Sequence, residues 1–169
     1  MSLNELDKLR TVKVIRNEQF LWYAGRVLER ARKDVILCSY KFELSRRTDA
    51  LGLNSLLDIL YTVAINKIQI RVLLNVTGLR SSLSKININT ARTLVKKGIE
   101  VRALKENRCQ HAKILIVDGR LGIIGSHNWT PRSLTENFEA SVVLSGADVL
   151  EDIVAHFEKI WLKSIDIGK

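Results

Sequence analysis

Between Glu18 and Leu104 the apolar residues switch repeatedly between two periods, and that alternation most constrains the fold. Over residues 18–33 they recur at helical spacing (Phe20, Tyr23, Ala24, Val27, Leu28, Ala31), and Asp34 then leads into a continuous apolar run over 35–40, which reads as a buried strand. The cycle repeats with a helix over 54–66, a strand over 69–75, a helix over 88–97 closed by Gly98, and a strand over 100–104. Such alternation predicts an α/β domain with helices on both faces of a mixed, largely parallel sheet. With no linker-like stretch in 169 residues and only one proline, Pro131, it predicts a single domain over 1–169.

The rhythm changes after residue 110. Apolar runs over 111–117 and 121–125 flank Asp118-Gly119-Arg120, where Asp-Gly signals a hairpin. A strand over 139–144 and an amphipathic helix over 148–163 close the chain, the helix carrying Leu150, Ile153, Val154, Phe157, Ile160 and Trp161 on one side. No internal repeat is present. No apolar run is long enough to cross a bilayer, and the first twenty residues contain no signal-like apolar core, so a cytoplasmic setting is expected. The two cysteines fit a reducing compartment: Cys38 lies inside an apolar run, and Cys109 stands two residues before His111.

Charge points toward phosphates. Lysine and arginine total 27 against 18 acids, a formal balance of +9 that suits a polyanionic partner. Two long polar connections, 41–52 and 77–87, follow predicted strands, the end of an open sheet where ligands bind. They supply Lys41, Arg46 and Arg47 in one case and Arg80 and Lys85 in the other as candidate phosphate contacts.

One constellation carries chemistry. His111 and Lys113 stand two apart at the start of a predicted strand, so their side chains share a face. Gly125 ends the next strand, followed by Ser126 and Asn128, again two apart, and the glycine allows a close backbone approach or an unusual dihedral. An imidazole can attack phosphorus while an ammonium and an amide stabilise the charge that builds on its oxygens. His127 and His156 lack such company and read as non-catalytic, and Trp22, Trp129 and Trp161 read as packing residues.

The run His111-Ala112-Lys113, four residues, Asp118, six residues, Gly125-Ser126-His127-Asn128 resembles the HKD signature of the phospholipase D superfamily at each defined position. The flanks are similar too: Asn128-Trp129-Thr130, Asn137-Phe138-Glu139, and, earlier, Ser39-Tyr40-Lys41-Phe42. The resemblance implies an α-β-α sandwich and a metal-independent phosphodiesterase with no cofactor. His111 would be the nucleophile that forms a phosphohistidine, or in a second copy the acid that protonates the leaving oxygen. Lys113 and Asn128 would grip the phosphate with support from Gly125 and Ser126. Asp118 belongs to the catalytic motif but mainly shapes it, and Glu139, or alternatively Glu136, would orient a histidine.

The mechanism so implied needs two histidines, and this chain carries one such motif, so a homodimer with a composite site on its axis is expected. Small single-motif members resemble nucleases, which with the +9 balance favours an endonuclease acting on DNA or RNA. The alternative is a phospholipase D-type lipid hydrolase or phosphatidyltransferase, for which Leu51, Leu53, Leu79 and Leu83 are the candidate apolar rim. A non-catalytic nucleic-acid-binding domain is the third reading.

Overall fold

The computed structural model describes residues 12–44, 51–78, 81–104 and 108–168; Arg46, Arg47, Leu79 and Arg80 of the expected loops lie outside them. The chain runs β1 (Lys13–Arg16), α1 (Gln19–Leu28), β2 (Asp34–Ser39), α2 (Leu51–Ile65), β3 (Gln69–Leu74), α3 (Ser82–Val95) and β4 (Glu100–Leu104). It continues through β5 (Lys113–Val117), β6 (Leu121–Gly125), α4 (Pro131–Thr135), β7 (Ala140–Ser145), α5 (Ala147–Leu162) and β8 (Ser164–Asp166).

The strands form one mixed sheet in the order β1-β7-β6-β5-β2-β3-β4-β8. Its parallel part is smaller than the alternation predicts. Only β2–β3 and β3–β4 pair in parallel; the other five pairings, among the described residues, are antiparallel. Parallel neighbours need a long crossover, which α2 and α3 supply, whereas α4 joins β6 and β7 as antiparallel neighbours. After β4 the chain returns to the other side of β2 and proceeds by direct reversal. That reversal uses Asp118 and Gly119, both with positive φ (54° and 63°), as an Asp-Gly turn requires.

Strand alternation divides the core between two faces, giving the expected α-β-α sandwich. Val35, Leu37, Val72, Leu115 and Val117 pack with Phe20, Val27, Leu56, Leu60 and Leu94 from α1, α2 and α3. Ile36, Cys38, Leu73, Ile114 and Ile116 pack on the other face with Leu150, Phe157 and Trp161 of α5.

Local differences from the sequence reading have local causes. The polar stretch 77–87 is largely the start of α3: the Ser81 hydroxyl caps it by accepting from the Ser84 N–H at 3.0 Å, and Ser84 and Asn87 are buried. The edge strands β1 and β8 escaped prediction because they are four and three residues long and each buries a single side chain.

Candidate active site

Strand direction alone gathers the polar residues. β5 runs antiparallel to β6 and β2, so Lys113 lies opposite Gly125, and Ile114 opposite Cys38. β2 and β3 are parallel, with Ser39 level with Leu74. The start of β5 and the ends of β6, β2 and β3 therefore meet at one edge of the sheet. There they present His111, Lys113, Ser126, Asn128, Ser39, Tyr40 and Asn75.

His111 is exposed and precedes β5 rather than belonging to it. The Lys113 ammonium, whose residue is only 8 % exposed, donates to the His111 carbonyl at 2.7 Å and lies 3.1 Å from Nδ1 and 3.3 Å from Nε2. An ammonium can only donate, so a ring nitrogen bonded to it must accept. Burial pulls the Lys113 pKa below the ordinary lysine value, opposed by charge at Cys109 and Glu139. Tyr40 packs against both groups, its ring 4.7 Å from the imidazole and 5.3 Å from the ammonium.

Behind His111 stands a set of buried amides absent from the sequence reading. The Gln110 side chain accepts from Ala112 N–H at 2.6 Å and donates to Ala112 O at 3.2 Å, bracketing His111 as a neighbouring strand would. The Gln110 N–H donates to Asn75 Oδ1 at 3.0 Å, and Asn87 donates to the carbonyls of Asn75 and Tyr40, at 2.8 Å each. The only sequence signal was polar amides directly following an apolar strand and preceding the motif.

Across from His111, Asn128 Oδ1 accepts from Lys41 N–H at 3.1 Å and Ser39 Oγ at 3.4 Å. Its acceptor is thus held by protein, and its NH2 group has no hydrogen-bond partner among the described residues. Ser133 donates to Glu139 Oε1 at 2.7 Å while accepting from Asn128 N–H at 2.9 Å. Ser126 donates to the other Glu139 oxygen and Asn137 to Oε1 at 3.1 Å. Burial raises the Glu139 pKa, but these three hydrogen bonds and the charge of His127 outweigh it and hold the carboxyl below its ordinary value. Glu139 makes no hydrogen bond to His111 within the chain, among the described residues. Glu136 faces solvent beside Arg132, at 3.9 Å.

Gly125 acts through close approach and not through an unusual dihedral. A Cβ there would come within 2.5 Å of Ala140 O and closer still to Ser141. The space left lets the Ser141 hydroxyl donate to His127 Nδ1 at 2.7 Å while His127 Nε2 donates to Asn17 O at 3.1 Å. Both nitrogens are thereby used, and the buried ring stacks on Phe20 at 4.5 Å, so His127 is structural. Trp129 and Trp161 are core residues, whereas Trp22 is 40 % exposed under Arg26, which corrects its reading as packing.

The other candidates separate. Asp118, grouped with the catalytic residues by the motif, touches no reacting group. It lies about 17 Å from Lys113 along β5, and its carboxylate accepts the N–H groups of Arg32, Lys33 and Asp34 at 3.0, 2.8 and 3.0 Å. Lys41 comes to the site through its backbone, its ammonium being paired with Glu43 at 2.6 Å. Lys85 is exposed near the start of α3. Ser126 is exposed, and its hydroxyl is bonded to Glu139. Of the proposed apolar rim, Leu53 is buried and Leu83 half-buried; the exposed apolar group beside the site is Phe138, 98 % accessible. Burial pushes the Cys38 thiol up to about 12, so it is inert, while Cys109 is exposed.

The arrangement presents an accessible imidazole, a buried cation against it and an amide NH2 with its acceptor already occupied. Such a set can bind and attack an anionic phosphoryl group. Over residues 25–161 the chain matches the family described as cardiolipin synthase, PLD-like domain. It is 26 % identical over 136 residues to the mitochondrial cardiolipin hydrolase of Mus musculus, covering 80 % of this chain and 55 % of that one. With the protein of the same name from Chlamydomonas reinhardtii it shares 41 % identity over 64 residues, 38 % of this chain and 29 % of the relative. It therefore spans 55 % or less of the length of these relatives. Among solved structures, a phospholipase D family member, Nuc from Salmonella typhimurium, superposes with a TM-score of 0.75 at 19 % identity, covering 92 % of this chain and 97 % of that one. An identity that low speaks for the fold alone.

Proposed function

The chain belongs to the phospholipase D-like domain family, and from that premise we propose that it is a metal-independent phosphodiesterase cutting DNA or RNA internally through a phosphohistidine on His111. The observation that carries this reading is the exposed His111 imidazole with the buried Lys113 ammonium 3.1 Å from its Nδ1. A ring nitrogen of His111 would attack phosphorus, forming the N–P bond as the P–O bond to the leaving group breaks. Lys113 and the Asn128 NH2 would take up the charge on the non-bridging oxygens. The leaving oxygen needs a proton and the second step needs a base for water, whose oxygen then displaces the imidazole.

A second copy of His111, contributed by a homodimer, supplies both functions. Of the other histidines, His127 has both nitrogens engaged, and His156, which lines the same cavity as His111 from α5, stands outside the motif. Two features support a second copy at the site: Glu139 has no bond to its own His111, and Phe138 stands almost wholly exposed beside it. The names of the relatives favour a lipid as the second reading, a phospholipase D-type hydrolase or phosphatidyltransferase acting on a diphosphatidyl lipid.

The test compares wild type and His111→Ala on labelled single- and double-stranded DNA and RNA and on cardiolipin vesicles, all with excess chelator. Cleavage of nucleic acid that survives chelation and vanishes in the variant supports the first reading; turnover of the vesicles alone moves the assignment to lipid. Mixing wild type with a growing excess of His111→Ala chains separates the composite site from a self-sufficient one. Activity then falls with the square of the wild-type fraction if two histidines are needed, and linearly if one chain suffices.

A further inference from the structure

We propose that the groove leading from His111 along the C-terminal half of α5 is the track for the phosphate backbone of a nucleic-acid strand, with Arg108, Lys159 and Lys163 contacting phosphates that flank the reacting one. The inference rests on the phosphodiesterase reading and names the substrate class that the site's surroundings select.

The groove is a cavity of about 490 Å³ with His111 in its wall, together with Arg108, His156, Lys159 and Lys163. Among the described residues, no aspartate or glutamate lines it. The larger cavity of about 910 Å³, by contrast, lies beside Asp118 and mixes arginines with Glu29 and Asp118. Neither Arg108 nor Lys159 has an ion-pair partner among the described residues, and both are exposed.

Their placement follows from helical geometry. His156, Lys159 and Lys163 stand three and four residues apart and so share one stripe of the helix. The stripe extends about 10 Å along the axis. A stripe of that length can meet more than one phosphate of a strand.

A row of cations running away from a phosphoryl centre fits a linear polyanion better than a single headgroup. A lipid would want an apolar wall for its chains beside the reacting phosphate, and among the described residues Leu104, Ala112 and Ile160 are the aliphatic ones that line this groove. The track differs from the two loops that charge in the sequence singled out. In those loops Lys41 is paired with Glu43, whereas the groove begins at the nucleophile itself.

The experiment measures binding of a short fluorescein-labelled single-stranded oligonucleotide by anisotropy, in the His111→Ala background so that the strand stays intact, across a salt series. Arg108→Glu and Lys159→Glu should each weaken binding by roughly 10-fold or more at moderate salt. The neutral pair Arg108→Gln/Lys159→Gln should lower the slope of log K against log salt by about 1.4, near 0.7 per lost phosphate contact. Lys97→Glu, the same charge change beyond α3, serves as the control for net charge, and thermal melts confirm folding of each variant. Charge reversals in the groove that weaken binding no more than Lys97→Glu does would overturn the proposal. So would reversals that weaken binding to cardiolipin-containing vesicles but leave the oligonucleotide affinity intact. Hydrolysis of bis(p-nitrophenyl) phosphate by the wild type in chelator reports the chemistry separately. A wild type inert on that ester yet binding strands through the groove would sink the phosphodiesterase reading and keep the track.

Discussion

At the turn end of the β5–β6 hairpin the Asp118 carboxylate accepts three backbone N–H groups, and its position is wholly taken up by the fold. At the open end His111 is exposed, with a buried ammonium drawn against it and a hydrogen-bonded amide network behind it. Both ends belong to one motif and one pair of strands. The contrast teaches that a conspicuous polar residue marks chemistry only where its bonding capacity is left open, and that burial of the groups around it is what keeps that capacity aimed.

Breaking each end should have different consequences. The largest effect is expected from Lys113→Met, which keeps the length and removes the charge. Phosphodiester turnover should fall by about 10²–10³, the usual consequence of losing one donor to a developing oxyanion, while the melting temperature holds or rises because a buried ammonium has gone. A variant that melts early with turnover per folded molecule intact would reassign Lys113 to the fold.

Asp118→Ala should do the reverse. Leaving the amides of residues 32–34 without their acceptor is expected to cost about 2–4 kcal/mol in urea unfolding, with activity lost only in proportion to the unfolded fraction. Loss of turnover in fully folded protein would dissolve the distinction between the two ends.

Gly125→Ala sharpens the comparison at the open end. The added methyl must displace Ser141 or Ala140, and destabilisation of about 1–3 kcal/mol is expected, with the Ser141–His127 bond disturbed. Imidazole NMR shifts of His127 are the direct readout.

The smallest effect concerns pH. Burial lowers the His127 pKa, opposed by the Asn17 carbonyl and the charge of Glu139. The unfolded chain therefore takes up a proton that the folded chain resists. Stability should be unaffected above the unfolded value near 6.5 and fall as pH drops below it, by up to about 1.4 kcal/mol per unit until the lowered folded value is reached. His127→Gln should remove this contribution. An unchanged pH dependence in that variant would place the titration elsewhere.

Much of this architecture was legible in the residues. The helix and strand periods located α1, β2, β3, β4 and α5 within a few positions, and Asp118-Gly119 marked the hairpin turn. The expectation of a largely parallel sheet failed because periodicity identifies strands without saying which become neighbours. At the site, the spacing of His111, Lys113, Ser126 and Asn128 was visible. The supporting amides of Gln110, Asn75 and Asn87 were not, since isolated polar residues beside strands look the same whether they face water or are buried. The basic loops drew attention through their charge and their place after predicted strands, yet the cations lining the His111 groove come from α5 and from Arg108, whose roles depend on where that helix docks.

By itself, then, the sequence determined the alternation of elements, the turn, the separation of core from surface along each strand and the identity of the motif. All of these depend on local period or local spacing. The tertiary structure alone decided that β5 enters beside β2 in the opposite direction, that His111 meets Tyr40 from a separate segment, and that α5 lays its cations next to His111. Those outcomes depend on which distant surfaces bury one another, and no single stretch of chain encodes that choice.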